Sequence, residues 1–150
     1  MQFEKLIFLS MDNTCSSPLA AAIYQNLVPE GKLEIVSRGL VVLFEEPINP
    51  KIVLVAKNHH LLLESYRSIA LSHEEITKET IILTMSKKQK ETVLEDFLEA
   101  EYVYTLNEFV GEEKELLAPY GEGLLEYEEF YLSLMQMVKK VVLRLHGIEV

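Results

Sequence analysis

The stretch Leu6-Ile-Phe-Leu-Ser-Met-Asp-Asn-Thr-Cys-Ser-Ser-Pro-Leu-Ala-Ala-Ala-Ile-Tyr24 constrains the fold more than any other part of the chain. It begins within a strand-like segment, Phe3–Leu9, of the kind found in a central strand covered on both faces. A short polar loop follows, then a helix predicted over Pro18–Leu27, with Ser17 as its cap and Pro18 at its first position. Strand, loop and helix in this order bring unpaired helix N–H groups and a partial positive charge to the loop. That arrangement normally cradles phosphate.

The same alternation continues along the chain. Leu33–Ser37 reads as a second strand ahead of Gly39, and Pro50 to about Tyr66 as a helix despite Ile52, Val53 and Val55. Glu79–Met85 reads as a third strand, and Ser86 caps a helix through about Phe97. Tyr102–Thr105 is a short fourth strand. From Glu122 to Leu145 runs a long amphipathic helix with the stripe Leu124, Tyr127, Tyr131, Leu134, Val138, Val141 and Leu145. Its acidic start, basic end and the stop at Gly147 suit the helix dipole. Strands separated by helices predict an α/β fold: three layers, doubly wound, with a four-stranded parallel sheet flanked by helices. In such sheets ligands bind beyond the carboxyl ends of the strands, where the Ser10–Ser17 loop falls.

At 150 residues the chain is expected to be one domain spanning 1–150. A net charge of −10 argues against nucleic acid and anionic membranes as partners. No apolar run reaches the roughly 18–20 residues that span a bilayer. A start without a basic region and cleavage site, together with a single cysteine, sets a cytoplasmic expectation. The spacing of the histidines and acids suggests no metal and no cofactor. His59 and His60 do not share a helix face, and His73 reads as lying near a helix start. The Glu112–Glu115 cluster reads as a solvated loop.

The segment Ser10-Met-Asp-Asn-Thr-Cys-Ser-Ser-Pro18 resembles the signature of the low-molecular-weight protein tyrosine phosphatases, Cys-x-Gly-Asn-x-Cys-Arg-Ser-Pro. Asn13, Cys15, Ser17 and Pro18 match. Val36-Ser-Arg-Gly-Leu40 is similar to the family's Ser-Ala-Gly-Leu segment, and Ile82–Met85 to its third strand. Ala118-Pro-Tyr-Gly121, followed by Leu125–Glu129, is similar to its Asp-Pro-Tyr-Gly loop and last helix. The resemblance covers nearly the whole chain and implies the phosphotyrosine protein phosphatase I-like fold.

It also implies where the reacting groups belong, and there the residues depart. The family's nucleophilic cysteine aligns with Ser10, its phosphate-binding arginine with Ser16 and its general acid with Ala118. A serine hydroxyl is not an activated nucleophile unless a base takes its proton. Ser16 supplies one neutral donor in place of a bidentate fork, and Ala118 has no proton to give. The expectation is a pseudophosphatase with a degenerate phosphate loop that acts by binding or scaffolding. The alternative is a phosphatase-like hydrolase of altered mechanism. The candidate ligand contacts are Ser10, Met11, Asp12, Asn13, Thr14, Cys15, Ser16 and Ser17, with Tyr120 walling the cleft as an aromatic does in the family.

Asp12 stands where the family has glycine. Either it or a serine hydroxyl fills part of the anion nest, or it points to solvent as a turn residue. Cys15 reads as a buried structural thiol, since the residue six further on is Ala21, not arginine. The expected partner is a protein or a small anion. Phe130, Met137 and Val142, off the main stripe of the last helix, raise a possible homodimer contact or a place in a larger assembly.

Overall fold

The computed structural model describes residues 2–147 and Val150. Its elements run β1 Lys5–Ser10, α1 Ser16–Leu27, β2 Glu34–Gly39, α2 Pro50–Asn58, a 3-10 turn His73–Glu75, β3 Thr80–Thr84, α3 Lys87–Asp96, β4 Tyr102–Thr105, α4 Leu106–Phe109 and α5 Leu124–His146. The four strands are all parallel and lie in the order β2-β1-β3-β4. The order reverses between β1 and β3, so the crevice at the carboxyl end of β1 is the one in which doubly wound sheets bind ligands.

Strand alternation sorts the sheet's side chains into two cores. Leu6, Phe8, Ile81 and Leu83 join α1, α2, α4 and α5 in the larger one. Ile7, Leu9, Ile82 and Val103 point the other way, onto Val93 of α3 and Leu71 and Ile76 beside the 3-10 turn. β1 is therefore covered on both sides, as its apolar run predicts. Its ladder starts at Lys5 rather than Phe3, whose ring packs edge-on against Tyr102 with centroids 5.0 Å apart.

The last helix buries a wider face than its stripe. Tyr127, Tyr131, Leu134, Val138 and Val141 are buried as expected, and so are Phe130, Met137 and Val142. Those three are covered by the chain's own core, so the width of this face speaks for no dimer contact. Leu124, at the head of the stripe, is exposed. Among the described residues no helix is long and apolar enough to cross a membrane.

α2 is shorter than its sequence predicts. It ends at Asn58 in a Schellman arrangement: the His60 N–H donates to the Lys57 carbonyl and the Leu61 N–H to the Ala56 carbonyl. His60 takes the left-handed conformation (φ 65°) that glycine normally fills, so no sequence signal marked the stop. His59, expected to be merely exposed, shares a hydrogen bond with Glu128 (2.7 Å) and stacks on Tyr131. His73 opens the 3-10 turn, as its position suggested.

At the β2 edge of the sheet the outward carbonyls are occupied by side chains and a returning segment. On β2 the Ile35 carbonyl accepts from Gln25 Nε2 and the Ser37 carbonyl from Arg38 Nη1. The Gly39 carbonyl accepts the Leu71 N–H.

Glu75 pins this edge to the rest of the fold. Its carboxylate binds Lys5 Nζ at 3.2 Å, Arg38 Nε at 3.0 Å and both the N–H and hydroxyl of Ser72. Burial alone would raise its pKa. The Ser72 N–H, Arg38 and Lys5 together outweigh that and hold it below the usual carboxylate range. A carboxyl whose folded pKa is lowered stabilises the fold above its unfolded value, and that contribution is lost as pH falls through the folded value. Glu75→Gln is therefore expected to cost roughly 2–3 kcal/mol near neutral pH. In urea melts across the acid range, the gap between the two proteins should close as the wild-type carboxyl protonates.

Candidate functional site

The loop between β1 and α1 is held by its own polar groups. Asn13 takes the left-handed conformation (φ 62°), which asparagine tolerates better than most residues. Asp12 stands at the family's glycine position, yet it is the next residue that makes this turn. Asn13 is fully buried, and each end of its amide is used. Nδ2 donates to Ser17 Oγ at 2.8 Å, while Oδ1 accepts the Tyr66 hydroxyl and the Ile69 N–H, each at 3.0 Å. The Ser10 and Ser17 hydroxyls are bonded to each other at 2.6 Å, and Ser10 Oγ also accepts the Asn13 N–H.

The helix begins ahead of the position its cap residues suggest. Cys15 is the N-cap, α1 starts at Ser16, and no side chain caps it. Ser17 is drawn inward to Ser10 and Asn13 instead of capping. Pro18 at the third helical position still costs nothing, because that N–H has no intrahelical acceptor. The first intrahelical bond runs from the Leu19 N–H to the Cys15 carbonyl. Among the described residues, no protein acceptor meets the N–H groups of Cys15, Ser16 and Ser17. The N–H groups of Asn13 and Thr14 are satisfied within the loop, by Ser10 and Asp12.

Asp12 settles between its two expected roles. Its Oδ1 accepts the Thr14 N–H at 3.1 Å and the Thr14 hydroxyl at 2.9 Å, a local turn bond. The carboxylate thus fills one N–H of the nest and remains half-exposed beside the helix start.

The end of β2 fixes the loop from below. Leu40 and Val41 donate their N–H groups to the Ser10 and Met11 carbonyls. A Cβ on Gly39 would come within 2.7 Å of Val42 Cγ2 and 2.9 Å of the Asp12 carbonyl carbon, so only glycine fits there. Asn49 holds the far side, donating its N–H to the Thr14 carbonyl.

The structure brings Ser10, Asp12, Asn13, Thr14, Cys15, Ser16 and Ser17 together at the carboxyl end of β1. Met11 belongs to the loop but its side chain is exposed. Tyr120 lies alongside: most of its ring is in solvent, while its hydroxyl turns toward Cys15. Burial pushes the Cys15 thiol up to about 12; the Tyr120 hydroxyl opposes this and the Asp12 carboxylate adds to it. The Tyr120 hydroxyl is raised as well, by burial first and then by Cys15 and Asp12. Cys15 is a neutral thiol at physiological pH, the opposite of the low-pKa thiolate of a reactive cysteine. Ala118 is half-buried in the loop that delivers Tyr120 and packs on the larger core.

Tyr66 and Ile69 were not legible as site residues. They meet Asn13 from more than fifty positions away, and only the early end of α2 makes room for them. Among the described residues no group of three or more His, Cys, Asp or Glu side chains is placed to hold a metal ion.

Residues 5–147 match the family model described as low molecular weight phosphotyrosine protein phosphatase. The chain belongs to this family. It is 32% identical over 137 residues to the low molecular weight protein-tyrosine-phosphatase PtpB of Staphylococcus epidermidis, covering 91% of this chain and 96% of that one. The Staphylococcus aureus PtpB matches with the same identity and coverage. Among solved structures, the YwlE arginine phosphatase from Geobacillus stearothermophilus superposes with a TM-score of 0.86 at 27% identity, over 96% of this chain and 94% of that one. The low molecular weight protein tyrosine phosphatase from T. tengcongensis gives 0.85 at 25%, over 93% and 98%. The four-stranded parallel sheet and its helices are those of this family.

Two outcomes follow from the loop's geometry. Asn13→Ala removes three side-chain hydrogen bonds and places alanine at positive φ, and is expected to cost roughly 2 kcal/mol or more. Asn13→Gly keeps the backbone free to turn and should recover part of that loss in the same thermal melts. Cys15 should resist a thiol-specific disulfide reagent at mildly alkaline pH in the native protein, and react fully once denaturant unfolds it.

Proposed function

We propose that this chain is a non-hydrolysing member of the low-molecular-weight phosphatase family that acts by binding, as an interaction or scaffolding module. Its site is the Ser10–Ser17 loop with Tyr120. The observation that carries this reading is the state of Ser10. Its hydroxyl is buried and engaged by Ser17 and the Asn13 N–H, and among the described residues no base is hydrogen-bonded to it. Asp12, the one carboxylate nearby in sequence, is bonded to Thr14 instead.

The other two positions support it. A general acid contributes about 10²–10⁴-fold to rate, and Ala118 has none to offer. Ser16 brings no charge to a transferring phosphoryl group, where a guanidinium would bind two oxygens at once. Cys15 does not replace the missing nucleophile, because its thiol is buried and neutral. What remains of the anion site is a set of helix N–H groups with a carboxylate set beside them.

A second reading makes Ser10 a phosphoryl acceptor. One observation favours it: the fold neighbours include a YwlE arginine phosphatase mutant with a phosphorylated active site serine. Here too a serine hydroxyl lies beside unpaired helix N–H groups.

The test is a phosphatase assay with p-nitrophenyl phosphate and a phosphotyrosine peptide, comparing the native chain with the variant Ser10→Cys, Ser16→Arg, Ala118→Asp. No turnover above background is expected from the native chain, and intact-mass spectrometry should find no phosphoryl adduct on Ser10. Turnover, or a stoichiometric adduct at Ser10, overturns the non-hydrolysing reading. Turnover by the triple variant would show that the geometry of the cleft persists.

A further inference from the structure

The face beside the loop carries an acidic pocket with an apolar rim. A cavity of about 210 Å³ is lined by Asp12, Val41, Val42, Leu43, Phe44, Glu46 and Ser68. None of these seven side chains is cationic. Asp12, Glu46 and the neighbouring Glu45 take part in no ion pair among the described residues, although the chain forms several elsewhere. Asp12 spends one carboxylate oxygen on Thr14, which leaves the other for a ligand.

The rim is the most solvent-exposed apolar segment next to the site. Leu43 is 87% exposed, Phe44 68% and Val41 54%, three of four consecutive positions. Leucine and phenylalanine held in water at the mouth of a carboxylate-lined pocket are unfavourable for a free surface. They suit a ligand with a long apolar stem and a positive head. The stem of such a side chain lies along apolar groups while its charge reaches the acids, and an aromatic ring at the rim adds cation–π attraction.

We propose that this pocket receives a cationic side chain of a polypeptide partner, arginine being the better fit. The planar guanidinium binds carboxylates through paired donors and stacks on an aromatic face, whereas lysine offers a point charge. The proposal rests on the binding role above and names its ligand chemistry. A cleft built for a phosphorylated side chain would present positive charge. This pocket, beside the helix-start N–H groups and not formed by them, presents Asp12 and Glu46, so it favours an unmodified basic residue. The chain's net charge of −10 steers such a segment toward it.

The test is a ¹H–¹⁵N NMR titration of the whole chain at low ionic strength with three capped peptides that differ at one central residue: arginine, citrulline or phosphotyrosine. The arginine peptide is expected to shift amides of residues 11–14 and 41–46. The citrulline peptide, isosteric but uncharged, should bind roughly tenfold more weakly or worse, as the loss of a charge-assisted pair implies, and the phosphotyrosine peptide should leave those amides unmoved. Asp12→Asn and Glu46→Gln should each weaken the arginine peptide several-fold, with the spectrum itself reporting that each variant is folded. Equal binding of arginine and citrulline peptides, shifts confined to another face, or no shift at all overturns the pocket. These outcomes are separate from the turnover assay: a hydrolysing chain refutes the inert reading, whereas a silent titration of a non-hydrolysing chain refutes only this ligand.

Discussion

One buried amide joins the loop at the carboxyl end of β1 to the rest of the fold. Asn13 turns the backbone left-handed, and its side chain ties two separate pieces of chain to that turn: the start of α1 through Ser17, and the segment after α2 through the Tyr66 hydroxyl and the Ile69 N–H. A buried amide with all its partners present specifies a geometry far better than an apolar contact does, because a loss of any partner leaves a desolvated group unpaired. The loop therefore keeps its path through bonds in which Ser10, Ser16 and Ala118 take no part.

The helix start still offers the N–H groups of Cys15, Ser16 and Ser17, which favour negative charge. Asp12 supplies a fixed negative charge from within the loop, and Glu46 adds another at the adjoining cavity. The site thus holds its own anion next to the positive end of the helix dipole. A mobile phosphate would meet that carboxylate, while a basic side chain would meet it without penalty.

The layered sheet, the burial of β1 on both faces and the buried face of the last helix were legible because each has a signature in its apolar pattern. β1, α3 and β4 fall within a residue or two of their predicted ends. What sequence alone concealed has in common a reliance on conformation or distance. The stop of α2 uses His60 where glycine would have announced it. The inward turn of Ser17 needs Ser10 and Asn13 in place before it wins over helix capping. Tyr66 reaches Asn13 only after the chain between them has folded back. By contrast, α4 carried a readable signal that went unused: Thr105 and Glu108 form a reciprocal capping box. The wide apolar face of α5 is accounted for by the chain's own core, in which Phe130, Met137 and Val142 are buried.

The sealed edge of β2 has a consequence for any partner. The carbonyls of Ile35, Ser37 and Gly39 are each occupied, by Gln25, by Arg38 and by Leu71. A strand from another molecule would find no row of free acceptors there, so lengthening of the sheet by strand addition is blocked at this border. The same blocking guards the β2 border against edge-to-edge association while leaving the apolar and acidic surface beside the loop open. Recognition at this border must then run through side chains, in charge and shape and not in backbone pairing.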